Sequence, residues 1–270
     1  MKSIGKTERH YSLLLNALKT QRQLSTKEAA SLLNVSESTA RRLFGELAKS
    51  GKVIRTFGGI AYSRNNTENE DYIFSREVLQ HTDIKTSIGN AAAETLHSGD
   101  IIYIDAGSTT LQFAQAVCQR IESGQLSNLI VVTNSIKHTR VFGSLCTVFT
   151  TGGEYQENSD SFVGALAEDF VSKFNYSKCF LGCDGASLSQ GASSKNLDSA
   201  RISQCALNRS SQTYLLMVSH KMEHPSFYCF APTHMIDCII TDDSLNPEIK
   251  AAYARTNIRL VTVSPEAAVG

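Results

Sequence analysis

The sequence predicts an α/β chain of two parts: an N-terminal winged helix-turn-helix and a C-terminal, mostly parallel α/β domain. Charge is the first sign. The 270 residues carry 26 basic and 26 acidic side chains, but residues 1–60 hold 11 Lys and Arg against 4 acids, and the rest holds 15 against 22. A basic block joined to an acidic one suggests two domains, one of them drawn to a polyanion. The second sign is a pair of short helical patterns with cap residues inside the basic block, followed by a strand that ends in two glycines. The third is the alternation of apolar strand-like and helix-like runs after Asp83, which calls for a parallel sheet covered on both faces. The expected division is 1–60 for the helix-turn-helix, 61–78 for a linker and 79–270 for the larger domain.

Composition narrows the classes further. With 41% hydrophobic residues, 19% charged and 4 Pro, the chain is neither disordered nor collagen-like. No apolar run approaches membrane-spanning length. Met1 to Lys6 leads into a charged amphipathic segment, so no signal peptide is expected. Seven scattered cysteines fit a reducing cytoplasm better than a disulfide framework.

The first helix is expected over 7–20, where Leu13, Leu14, Ala17 and Leu18 recur at helical spacing. Ser25-Thr26-Lys27-Glu28 reads as a capping box opening a second, short helix with Ala29, Ala30, Leu32 and Leu33. Asn34-Val35 makes a tight turn. Ser36 caps a third helix that runs to Ser50-Gly51, with Ala40, Leu43, Phe44 and Leu47 on its buried stripe.

The other face of that third helix carries Glu37, Ser38, Arg41 and Arg42, with Ser36 and Thr39 at its start. Hydroxyls and arginines in the leading half are what a helix needs to enter the DNA major groove: arginine pairs with guanine edges and hydroxyls hold phosphates. Lys52 to Phe57 reads as a strand ended by Gly58-Gly59, the wing, with Arg55 placed near the DNA backbone or minor groove. The competing reading is a helical protein-docking domain with a solvated charged face. The polar, acid-rich run from Ala61 to Val78 reads as the linker.

Helices are then expected over 84–97, 108–122, 135–143, 160–174, 196–209 and 246–256. Strands are expected at 101–105, 129–133, 147–150, 179–182, 214–218, 238–241 and 258–263. Ligands of such sheets sit at the carboxyl ends of the strands, and four strand ends here are polar or glycine-rich. Asp105-Ala106-Gly107-Ser108-Thr109-Thr110 precedes a helix and reads as an anion cradle, most naturally for phosphate. Thr133-Asn134, Gly152-Gly153 and Asp184-Gly185 line up with it at the other strand ends. Simple capping would explain one such loop; four point to a shared pocket for a polar, phosphorylated small molecule.

In order and spacing, these pieces resemble the DeoR family of bacterial sugar-metabolism regulators over nearly the whole chain. The matching stretches are Val35 to Arg42, Arg55 to Gly59, Asp105 to Thr110, Val132 to Ser135, Gly152-Gly153, Ser161 to Gly164, Gly182 to Gly185, and Lys221. The resemblance implies a winged helix-turn-helix bound to double-stranded operator DNA and a sensor domain with the fold of sugar-phosphate isomerases. It implies a phosphorylated sugar or polyol effector, with Lys221 among its contacts, and a homo-oligomer, dimer or tetramer. It needs no cofactor and no metal.

The chain departs from the family pattern at three places. Leu43 follows the arginine pair where an acid is common. Val218-Ser219-His220-Lys221 stands where an Asp-x-Ser-Lys stretch is usual, and Ser199 itself is not acidic although Asp198 precedes it. These departures bear on the effector, not on DNA binding. Set against the regulator is a second class, a sugar-phosphate isomerase or deaminase with an accessory helical domain, in which Asp105 and Asp184 would be the general acid and base. A zinc site drawn from His220, His224, Cys229 and His234 is disfavoured by Pro225. Cys179 and Cys183 read as small core residues.

Overall fold

The computed structural model describes residues 10–11, 13–14, 17–18, 23–49, 53–56, 58–62 and 74–265. The chain forms two compact units, 1–71 and 72–270.

In the first unit the described residues between 10 and 18 are helical; the rest of the expected 7–20 helix lies outside the described residues. Strand β1 (Gln23–Ser25) leads into α1 (Thr26–Leu33). The capping box is present: the Ser25 hydroxyl accepts from the Glu28 N–H, and Glu28 accepts from the Ser25 N–H at 2.8 Å. Asn34 ends α1 in the left-handed conformation (φ 51°), which asparagine tolerates. Helix α2 (Glu37–Lys49) follows, and its expected Ser50-Gly51 cap lies outside the described residues.

The wing is larger than expected. Strands β2 (Val53–Thr56) and β3 (Gly59–Tyr62) pair antiparallel, and β1 adds to the far side of β3 in the order β1-β3-β2. The sequence reading ended the wing at Gly58-Gly59; Gly59 instead begins a second strand, so 61–62 are sheet and not linker. Thr26 fastens the hairpin to α1, its N–H and hydroxyl both donating to the Gly58 carbonyl at 2.8 Å. Leu14, Leu18, Leu33, Ala40, Leu43, Phe44, Leu47, Val53 and Ile60 form the core.

The second unit opens with α3 (Phe74–Glu77) and α4 (Thr82–Ala93). Helix α3 falls in the stretch read as linker; residues 63–73 lie outside the described residues. Next come β4 (Ile101–Ile104), α5 (Ser108–Glu122), β5 (Ile130–Thr133), α6 (Ile136–Phe142) and β6 (Thr147–Thr150). A hairpin of β7 (Glu154–Gln156) and β8 (Ser161–Val163) precedes α7 (Ala165–Ser172). The remaining main-sheet elements are β9 (Lys178–Leu181), α8 (Leu197–Leu207), β12 (Thr213–Leu216), β14 (Cys238–Asp242), α9 (Pro247–Tyr253) and β15 (Arg259–Val263). Between them, β10 (Gly185–Ser187), β11 (Gly191–Ser194) and β13 (Tyr228–Ala231) make a small antiparallel sheet. The expected 160–174 helix is corrected: its first residues are β8, and the helix begins after Gly164.

The main sheet is parallel throughout, in the order β15-β14-β12-β9-β4-β5-β6. Alternate strand residues feed two cores. Tyr103, Cys179, Leu181, Leu215 and Ile239 face α7, α8 and α9, whereas Ile102, Ile104, Phe180, Leu216 and Ile240 face α4, α5 and α6. Phe180 is the hub of the second face, stacked on Phe113 at 4.1 Å and on Tyr214 at 4.9 Å. This double burial is why the strands read as continuous apolar runs. Among the described residues no helix is long and apolar enough to cross a membrane.

Candidate nucleic-acid interface and effector site

Helix α2 presents its polar face to solvent. Ser36 is its cap: its hydroxyl accepts from the Thr39 N–H at 3.3 Å and lies 2.9 Å from the Ser38 and Thr39 hydroxyls. Arg41 and Arg42 are more than 60% exposed. They lie along the helix against Glu37 and Glu46, each pair at 3.3 Å. Such exposed i,i+4 pairs are worth only about 0.3–0.5 kcal/mol, so either guanidinium exchanges its partner readily. Tyr11 donates to Glu46 at 2.8 Å, fixing that carboxylate from the first helix. Arg55 is exposed on β2. The helix and wing residues singled out in the sequence therefore all belong to one small unit, on its exposed elements.

In the sheet unit, the strand order turns at one point. From β4 the chain steps to β5 and β6; from β9 it steps the other way to β12, β14 and β15. The crevice of a parallel sheet opens at such a reversal, beyond the carboxyl ends of the two strands. Here it lies between Asp105–Thr110 and Gly182–Gly185. Helix α5 starts in it, capped by Gly107, which has no side chain to satisfy the first-turn N–H groups. The helix dipole makes this end favourable for an anion.

Asp105 closes the crevice floor. It is buried, and burial pushes its carboxyl up to about 7, against hydrogen bonds from the Ser203 hydroxyl and the Gly182 N–H. Ser203 lies 3.3 Å away on α8. Lys221 enters from the turn after β12 and donates to the Cys183 carbonyl at 3.0 Å. That carbonyl, and not a carboxylate at Val218, orients the lysine; Val218 is buried in the apolar core.

Several site residues serve the loops themselves. Thr110 donates to the Asp105 carbonyl at 2.6 Å and Thr133 to the Ile104 carbonyl at 2.8 Å, both fully buried. Their hydroxyls bond to the backbone of the neighbouring loop and strand. Asn134 ties three strand ends: its carbonyl accepts from Tyr103 and the Ala106 N–H, and its amide donates to the Phe162 carbonyl, each at 3.2 Å. Asp184 accepts from the Ser194 hydroxyl at 3.0 Å and the Lys195 N–H at 2.8 Å.

Two glycines are needed for backbone packing. A Cβ on Gly185 would meet the His224 carbonyl at 1.9 Å. One on Gly153, at φ +128°, would meet the Val163 carbonyl at 2.5 Å. Gly152 and Gly107 differ: a Cβ meets nothing within 4 Å at Gly152 and only Thr110 Oγ1, at 3.1 Å, at Gly107. Gly107 and Gly152 therefore keep room beside the backbone, whereas Asp105, Ser108 and Thr109 are buried.

Two residues at this site escaped the sequence reading. Lys85 on α4 is 3% exposed. Thr86 meets Gln112 at 3.0 Å, the α4 backbone at Gly89 packs on Gln112 and Phe113, and the Ala93 carbonyl accepts from Arg120. The helices therefore run side by side in the same direction, and Lys85 sits level with the first turn of α5. The signal was present: Lys85, Ile88 and Ala92 share the buried stripe. His138 on α6 is wholly buried, its imidazole pushed down to about 3 by burial although the Gly107 carbonyl favours its charge. It lies 3.4 Å from the Thr133 hydroxyl, and its Nε2 has no hydrogen-bond partner.

Comparison with known proteins joins the two units. A DeoR-like helix-turn-helix domain matches residues 9–66, and a DeoR C-terminal sensor domain matches residues 80–243. The HTH-type transcriptional regulator YulB of Bacillus subtilis is 31% identical over 242 residues, 89% of this chain and 90% of its own. The lactose phosphotransferase system repressor of Lactococcus lactis is 27% identical over 89% of this chain and 93% of its own. Among solved structures, ribose 5-phosphate isomerase A of Methanocaldococcus jannaschii aligns with 53% of this chain and 55% of its own, at 13% identity and a TM-score of 0.41. The whole-length relatives are regulators, so the isomerase or deaminase alternative is set aside. The chain belongs to the DeoR family and is a DNA-binding transcriptional regulator.

Proposed function

We propose that this regulator represses a carbohydrate catabolic operon and that a phosphorylated sugar or polyol, bound in the crevice at Gly107–Thr109, sets its affinity for operator DNA. The observation that carries this reading is the glycine-capped start of α5 at the strand-order reversal, with two lysines, Lys85 and Lys221, beside it. Amides and two cations suit a phosphate dianion; Asp105 and Gly152 remain for the carbon chain and hydroxyls. The repressor name of the Lactococcus relative agrees with the sign of regulation. In this reading residues 1–60 bind double-stranded operator DNA, with Ser36, Ser38 and Thr39 on phosphates, Arg41 and Arg42 on base edges, and Arg55 on the backbone. Glu37 orients Arg41. Residues 79–270 sense the effector. The chain acts as a homo-oligomer on paired half-sites, in the cytoplasm where operator DNA and phosphorylated sugars meet.

The test is calorimetry on the full chain with aldose, ketose, polyol and amino-sugar phosphates and their unphosphorylated parents. Phosphorylated members should bind, and Lys221→Ala should weaken them roughly 10- to 100-fold, the worth of a charge-assisted hydrogen bond. Tight binding of an unphosphorylated parent, indifferent to Lys221→Ala, contradicts the proposal.

A further inference from the structure

Residues 74–81 are the stretch by which the chain enters the sensor unit from the DNA-binding unit, and they are fastened at two points. Phe74 is buried, with the Lys137 ammonium 4.5 Å from its ring centre and its N–H on the Asn158 carbonyl at 2.8 Å. Glu77 is held by Lys85, whose Nζ donates to the Glu77 carbonyl at 2.5 Å and stands 3.7 Å from its carboxylate. The intervening backbone is a short ladder: Val78 N–H to Phe74 carbonyl, Gln80 N–H to Glu77 carbonyl, Lys85 N–H to His81 carbonyl.

The second fastening lies against the effector crevice. Lys85 is level with the first turn of α5, and Lys221 is near enough to disfavour its charge. On the same side, the His81 and His220 rings are 5.5 Å apart, so the turn that carries Lys221 abuts the entering segment. A buried ammonium cannot be left without a partner. At present its carboxylate partner is a single charge, on a side chain that is already 29% exposed. A phosphate dianion at the start of α5 offers twice that charge, while Glu77 can return to water at little cost.

We infer that Lys85 exchanges Glu77 for the phosphate group of the effector, so that ligand binding unfastens residues 76–81, the stretch by which the chain enters the sensor unit. This rests on the proposed anion site at Gly107–Thr109. It makes Lys85 a two-position latch: on Glu77 without ligand, on phosphate with it. The Phe74 anchor stays in place in both.

Amide hydrogen exchange of the full chain, with and without saturating inorganic phosphate, ribose 5-phosphate or glycerol phosphate, tests the exchange. Residues 106–112 should gain protection while the Val78 and Gln80 amides exchange about tenfold faster, a coupling of ordinary allosteric size. Glu77→Gln removes the competing charge and keeps the fold. It should speed exchange at 78–80 without ligand and tighten phosphate binding about tenfold; a merely structural role for Glu77 would not tighten binding. Lys85→Met should abolish both responses. Protection at 106–112 with no change at 78–80, and unchanged or weaker phosphate binding by Glu77→Gln, would overturn the exchange and leave the anion site standing. No protection at 106–112 with any of these phosphates overturns both.

Discussion

Asp105→Asn will make the stability of the sheet unit rise more steeply with pH, by about 1.4 kcal/mol per pH unit, between about pH 4.5 and 6. Two buried groups oppose one another there. Asp105 has a native value of about 7 against an ordinary 3.8, so across this window the native state holds a proton that the unfolded chain has released. Its contribution is full below the unfolded value and is lost as pH rises through about 7. His138 has a native value of about 3 against 6.5, so here the unfolded chain holds the proton. Its contribution is present above pH 6.5 and is lost as pH falls toward 3. The two groups offset each other, and His220, held below the ordinary histidine range by burial, adds to the histidine side. Removing the carboxyl exposes the histidine slope, and His138→Gln should expose the opposite one. Asp100 and Asp242 are held below the ordinary carboxylate range by the hydrogen bonds they accept, so their slopes lie below this window. Urea melts of the three proteins across pH check this; parallel profiles would remove the claim that both groups are buried in these states.

Replacing Arg41 and Arg42 together by Ala should cost about 2–6 kcal/mol of operator binding, from about 1–3 kcal/mol for each arginine that reads a base edge. The chain itself should lose little: both side chains are mostly exposed, and such substitutions usually stay within about 0.5 kcal/mol. Non-specific binding should fall much less than specific binding, and the salt dependence should change little, because base contacts release no counterions. Arg55 is expected to do the reverse, lowering binding to all sequences and flattening the salt slope by about one unit on removal. Footprints of the double variant that keep full operator protection would remove α2 as the reader.

Elements with both a periodic interior and an end signal were legible in sequence. Ser108–Glu122 and Thr147–Thr150 match their expected bounds, and the Ser25 box marked α1 because its hydroxyl and carboxylate must meet across one turn. The small sheet was not legible. Gly185–Ser187 and Gly191–Ser194 have no strand-forming side chains; they are strands because glycine lets the His224 and Ala231 carbonyls approach. Phe162 and Val163 fit a helical stripe as well as the hairpin they form. At the site, strand ends could be found because ligands of parallel sheets gather there, but not which glycine has room beside it and which meets a backbone: Gly107 and Gly185 read alike and differ in space. Lys85 was passed over because a lysine on an amphipathic helix reads as solvated; its place beside Ile88 marks it as buried.

The proposed regulation couples phosphate binding in the sheet unit to the DNA affinity of the helix-turn-helix. Its most direct test is operator binding by fluorescence anisotropy, using a sequence selected by the full chain from random DNA, with and without each phosphorylated sugar and its parent. At least one phosphorylated sugar or polyol should weaken operator binding about tenfold or more, its parent should leave binding unchanged, and Lys221→Ala should remove the response while preserving operator affinity. Operator binding that no phosphate ester changes, or that an unphosphorylated parent changes as strongly, would contradict it.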